Sequence, residues 1–284
     1  MVKKNGETIS FIRQNKGYSQ KYVASNVLTQ GAFSKFEKYN TDIRLSAFEQ
    51  IITKLELSFE EFKYVQNGYE FNARERLLNT LFNLTYNNKV ELESLKEEAT
   101  LYLQQQEDFL IEDLIRICDS LMILGETNNI EEARIPLEKV WERLSKRNHF
   151  YIVDIYFINS ILFLFPLETA LEIRKFIFRS IDRYKNFQDI ERLKINISLN
   201  IMLLLMKVQK FEEALSETEH AMLLCKKHAD YLRLAIFYIR KGICMGRLQI
   251  SGDDWIMKGE GILIAIEELN VLEIMKDEKN RMEV

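Results

Sequence analysis

Asn159, Asn196 and Asn200 stand inside two of the most apolar stretches of the chain, Tyr151 to Phe165 and Leu193 to Val208. A carboxamide carries both a donor and an acceptor. On an apolar helix it either bonds a neighbour or grips the peptide bond of an extended ligand. Further along, Arg233, Tyr238, Arg240 and Lys241 suit a carboxylate or an acidic side chain, and Phe157, Ile201 and Phe237 offer apolar surface. Together these residues predict a site for a short hydrophobic peptide, with acidic character allowed.

A second group lies near the start. Gln30, Ser34, Lys35 and Lys38 share one short segment, and Gln20 opens the segment before it. Glutamine pairs in bidentate fashion with adenine, lysine reaches guanine acceptors, serine serves either, and Gln20 is placed for a phosphate. Before position 46, Lys3, Lys4, Arg13, Lys16, Lys21, Lys35, Lys38 and Arg44 face only Glu7, Glu37 and Asp42, although the whole chain carries a net charge of -4. That asymmetry predicts one end that meets a polyanion, double-stranded DNA in this reading, and another that does not.

Catalytic chemistry has no comparable pattern. The sequence holds no phosphate loop, no Gly-x-Ser-x-Gly elbow and no His-Glu-x-x-His, so no enzyme and no cofactor is expected. His149, His220 and His228 lack metal-ligand spacing with Cys118, Cys225 and Cys244, and no metal is expected. His149, beside Arg147 at a helix start, is a candidate pH-sensing group. The three cysteines show no paired spacing and fall in apolar helical patterns, as free thiols of a reducing cytoplasm would. The opening Met1-Val2-Lys3-Lys4 runs directly into a charged amphipathic pattern, so no export is expected. Tyr151 to Phe165 is shorter than a bilayer span of roughly 20 residues and holds Asp154, so a cytoplasmic protein without membrane attachment is expected.

The elements that must position these groups are helices. Two prolines and ten glycines in 284 residues leave little turn chemistry, and 47% of the chain is hydrophobic at helical spacing. From Gly6 to Phe62 the apolar positions fall in short blocks (Ile9, Ile12; Tyr22, Val23, Val27; Phe33, Phe36; Phe48, Ile51, Ile52, Leu55), which predicts four or five short helices. Ser19 and Thr29 stand as N-caps before Gln20 and Gln30. This segment resembles the XRE-type helix-turn-helix, specifically the N-terminal domain of the Rgg/GadR/MutR regulators. The resemblance rests on Gly6-Glu7, Ile12-Arg13, Lys16-Gly17-Tyr18-Ser19-Gln20, Val23-Ala24, Phe33-Ser34-Lys35-Phe36-Glu37, Ile43, Leu45-Ser46, Leu55 and Phe59-Glu60-Glu61-Phe62. It implies that the helix from Gln30 to Lys38 reads the major groove and that Arg13 and Glu37 form a structural ion pair. Two positions depart from the family. Tyr39 replaces the usual glycine, so the left-handed turn residue is either missing or supplied by Asn40. Gly31 and Ala32 replace polar side chains, leaving fewer direct base contacts.

Beyond Phe62 a turn signal, Asn67-Gly68, precedes helical periodicity that continues to the C-terminus. The expected domains are 1–65, the DNA reader, and 66–284, a sensor and dimerisation domain. An apolar-Glu-x-Ala pattern recurs as Ile130-Glu131-Glu132-Ala133, Leu167-Glu168-Thr169-Ala170 and Phe211-Glu212-Glu213-Ala214, its alanines 37 and 44 residues apart. A decayed fourth copy starts at Trp255, with Lys258 in the alanine position. Each copy follows a strongly apolar helix, and a small residue early in a second helix allows close packing. The fold class expected is therefore all-α, a helix-turn-helix domain followed by a TPR-like right-handed stack of antiparallel helix pairs whose first helices line a concave face. The resemblance to the Rgg regulators implies a cytoplasmic homodimer that binds an imported signalling peptide in a quorum-sensing manner. Such a dimer would read an imperfect palindrome with half-sites about 34 Å apart, and would contact RNA polymerase if it activates transcription. Two alternatives stay open: a ligand-independent phage-like repressor whose helical domain only dimerises, and an interaction scaffold without DNA binding.

Overall fold

The computed structural model describes residues 3–84, 88–184 and 190–283. Every regular element among them is helical. The first helices are short: α1 (Asn5–Asn15), α2 (Gln20–Ala24), α3 (Gln30–Tyr39), α4 (Leu45–Lys54) and α5 (Phe59–Gln66). Next come α6 (Ala73–Asn83), α7 (Lys89–Leu103), α8 (Phe109–Thr127), α9 (Ile130–Arg134), α10 (Glu138–Ser145), α11 (Ile152–Ile161) and α12 (Leu167–Ile181). The last are α13 (Ile190–Lys207), α14 (Phe211–Ser216), α15 (Thr218–Lys227), α16 (Tyr231–Arg247), α17 (Asp253–Ala265) and α18 (Leu269–Glu283).

The chain divides into two compact units, residues 1–80 and 81–284, and α6 runs across their border. In the first unit the apolar blocks close on one core, with Ile9, Val23, Phe33, Ile51, Leu55 and Phe62 fully buried. Phe48 is its aromatic hinge, meeting Phe36 and Phe62 edge to face at 6.4 and 5.1 Å. This cluster ends at Val65, while the compact unit itself continues to Thr80. The intervening turn uses the predicted Gly68, at φ 81°, and also Tyr69, at φ 67°.

The second unit is built of helix pairs. α8 is followed by α9 and α10, α13 by α14 and α15, and α16 by α17, with α11 and α12 each packing on α13 and α18 closing against α16 and α17. Pro136 breaks the second helix of the first of these pairs, where a short 3-10 turn separates α9 from α10. Ala133, Ala170 and Ala214 are all fully buried, as residues at a close helix crossing must be. The fourth copy departs from the expected register. Lys258 is exposed and lies over the Trp255 ring, and the buried small residue is Gly259, one position later. A Cβ on Gly259 would come within 2.6 Å of the Ala235 carbonyl oxygen, and one on Gly242 within 2.6 Å of the Gly252 oxygen. The fold is thus all-α and TPR-like, with the interhelix distance set by small residues. Among the described residues no helix is long and apolar enough to cross a membrane.

Candidate functional site

Two sets of residues come together, one in each unit. In the first unit, Ser19 and Thr29 accept hydrogen bonds from the Tyr22 and Ala32 amides at 3.1 and 3.2 Å, fixing where α2 and α3 begin. Phe33, Phe36 and Glu37 point α3 inward. Gln30, Lys35 and Lys38 are therefore exposed along its outer face, with Ser34 half-buried beside them. Asn40 supplies the left-handed residue at φ 54°, and its Oδ1 accepts the Gly6 amide at 2.8 Å. Gly6 is required there, because a Cβ would meet the Phe36 carbonyl oxygen at 2.0 Å.

Arg13 and Glu37 meet face to face, Nε–Oε1 at 2.6 Å and Nη2–Oε2 at 3.0 Å, while Arg13 Nη1 donates to the Tyr18 carbonyl at 2.7 Å. Gln20 joins this pair, its Nε2 donating to Glu37 Oε2 at 2.7 Å. One of its N–H bonds is thus engaged inside the domain, and what Gln20 offers a phosphate is its remaining one. The sequence reading missed the neighbours of Lys35. A cleft of about 520 Å³ in the first unit is lined by Lys35, Arg44, Ser46 and Gln50, and Arg44 is the residue before α4. A basic residue at a helix start was the available signal.

In the second unit, the first helices of successive pairs enclose a pocket of about 150 Å³. Five of the eight residues expected to bind peptide line it: Asn159 on α11, Asn196 and Asn200 on α13, and Arg233 and Arg240 on α16. They are joined to one another. Asn200 Nδ2 donates to the Asn159 carbonyl and Oδ1 at 2.9 and 3.0 Å, and Arg233 Nε donates to Asn196 Oδ1. Arg233 also pairs with Asp230 at 2.9 Å, and Arg240 with Glu278 at 2.7 and 2.9 Å. Among the described residues, Asn159 Nδ2, Asn196 Nδ2 and Asn200 Oδ1 are left over, two donors and one acceptor. That is the complement of a peptide backbone.

The other three expected residues lie elsewhere. Phe237 is fully buried in the core, and Tyr238 and Lys241 turn to Trp255, the ring at 5.1 Å and the ammonium at 4.0 Å from its centroid. Phe157 and Ile201, expected as apolar surface, are also fully buried. The apolar wall comes from Tyr156, Phe163 and Ile236, and from Phe82 at the end of α6. One residue along a helix turns a side chain by about 100°, enough to move it from wall to core. The spacing Tyr156, Asn159, Ser160, Phe163 is itself a helical face and would have found the wall.

His149 is exposed, its Nδ1 3.4 Å from both terminal nitrogens of Arg183, and it touches neither set. Burial pushes the Cys118, Cys225 and Cys244 thiols up to about 12. Among the described residues no group of three or more His, Cys, Asp or Glu is placed to hold a metal ion.

No known family model matches the chain. Its fold is found in solved structures at low identity. A Listeria monocytogenes EGD-e protein thought to be a transcriptional regulator is similar with a TM-score of 0.75 and 15% identity, over 99% of this chain and 98% of that one. PlcR of Bacillus thuringiensis, solved with the peptide PapR7 and DNA, is similar with a TM-score of 0.70 and 15% identity, over 96% and 99%. The SHP pheromone receptor Rgg2 of Streptococcus dysgalactiae is similar with a TM-score of 0.68 and 16% identity, over 99% and 100%. At these identities the likeness is one of fold.

Proposed function

We propose that this chain is a DNA-binding transcription regulator whose helical-repeat unit binds a short peptide and thereby switches promoter control. The observation that carries the reading is the convergence of Asn159, Asn196 and Asn200 in one pocket with unpaired donors and an acceptor. Two receptors of the same fold support it, PlcR with its peptide and DNA and the pheromone receptor Rgg2. On the DNA side, Gln30 and Lys35 read base edges from α3, Ser34 assists, and Lys38, Gln20 and Arg44 meet phosphate. A homodimer would set two such helices on an imperfect palindrome with half-sites about 34 Å apart. Peptide changes the outcome only by favouring one dimer arrangement over another, so its affinity must differ between them.

The test is binding of the purified protein to duplexes covering the DNA upstream of its own gene, with random-sequence duplex as competitor. Selective binding is expected, and the double variant Gln30→Ala, Lys35→Ala should lose selectivity while its helical content stays unchanged. Selectivity retained by that variant would refute the assignment of α3.

A further inference from the structure

The two guanidiniums of the pocket are held in different ways. Arg240 commits Nε and Nη2 to Glu278 of α18 and Nη1 to the Leu199 carbonyl at 3.0 Å. Arg233 gives Nε to Asn196 and Nη1 to Asp230, and among the described residues its Nη2 has no partner, although the side chain is only 10% exposed. A cation this far from water, with one N–H edge open to a pocket, is a ready partner for an anion. The surroundings add positive charge. Arg192 lies 3.9 Å from the same Asp230, so that carboxylate is shared between two guanidiniums. The opposite wall is aromatic: Phe82 stacks on Tyr156 with centroids 4.5 Å apart, and Phe163 lies beside them. The pocket's 150 Å³ suits one branched side chain with its carboxylate, well short of the roughly 300 Å³ or more of a whole-ligand site.

We propose that Arg233 reads a carboxylate of the ligand, with an apolar group next to that carboxylate lying against Phe82 and Tyr156, while Arg240 is a clamp that holds α18. This rests on the peptide reading above. The carboxylate is either a free peptide C-terminus or an aspartate or glutamate side chain, and the guanidinium edge fits both.

The experiment measures affinities of synthetic peptides encoded by small open reading frames beside the gene, each made as C-terminal acid and C-terminal amide. The acid should bind at least about tenfold more tightly than the amide, the range of a charge-assisted hydrogen bond, and Arg233→Gln should erase the difference. Acid and amide that bind alike, but lose affinity together on Arg233→Gln and on Asp→Asn or Glu→Gln exchange in the peptide, place an acidic side chain there instead. Equal affinities for all forms, or a preference that survives Arg233→Gln, overturn the proposal. A second measurement decides where no peptide binds: 4-methylpentanoate and 4-methylpentanamide are titrated against the full chain while arginine Nε–H resonances are followed. A saturable shift of the Arg233 signal with the acid alone upholds the carboxylate site and removes the peptide reading, whereas no shift with either removes both.

Discussion

Glu37 is 6% exposed and serves three helices at once, accepting from Arg13 of α1 and Gln20 of α2 while belonging to α3. Replacing it by alanine leaves Arg13 partly buried without its counter-charge, so Glu37→Ala should cost about 3–5 kcal/mol in denaturant unfolding. The double variant with Arg13→Ala should cost less than the sum of the two single ones. A single-variant loss below about 0.5 kcal/mol would contradict the geometry. The cysteines give a second residue-scale expectation. Because burial raises Cys118, Cys225 and Cys244 from 9.0 to about 12, their thiols stay neutral when the unfolded chain's ionise. Their contribution is complete below pH 9.0 and is lost as pH rises toward about 12. Iodoacetamide at pH 8 should leave all three unmodified until denaturant is added; rapid labelling of the native protein would contradict their burial. A residue whose role is local is legible in the sequence. Ser19 and Thr29 act as caps, and Asn40 adopts the turn that Tyr39 does not. Where one helical step decides the surroundings, as with Phe237 and Ile236, spacing alone does not separate core from wall.

Helix pairing depends on where small residues fall. The alanines at 133, 170 and 214 are found by spacing, but the fourth crossing uses Gly259, the residue that faces α16 and has no room for a Cβ. Close approach selects the residue facing the partner helix, and extrapolating an uneven period cannot locate it to one position. Gly259→Ala would drive a Cβ to within 2.6 Å of the Ala235 oxygen and should destabilise the protein by about 1–3 kcal/mol in thermal unfolding. Gly261, two residues on in the same helix, meets nothing within 4 Å, so Gly261→Ala should stabilise by roughly 0.5–1 kcal/mol through helix propensity. The opposite signs make the pair its own control, and equal effects would show that α17 does not pack on α16 as described.

For the whole molecule, the charge split and the repeat pattern place a domain border at residue 65, and the fold divides into compact units of residues 1–80 and 81–284. The sequence groups Asn159, Asn196, Asn200, Arg233 and Arg240 as one site; what it does not show is the bonds they make to one another or the aromatic wall that faces them. Their separation along the chain, from 159 to 240, spans three helix pairs, and only the stacking brings them together. The same stacking brings in Phe82, from the helix that crosses between the units, a residue with no distinguishing sequence context. In the proposed function, this pocket governs DNA binding. The measurement that tests it most directly is the affinity for the selected upstream duplex with and without saturating peptide, in the unmutated chain and in Asn196→Leu, Asn200→Leu. A peptide-dependent change of about fivefold or more, absent from the variant, is the predicted result. Duplex affinity indifferent to every peptide that binds would rule out a peptide switch and leave helical repeats that serve assembly alone.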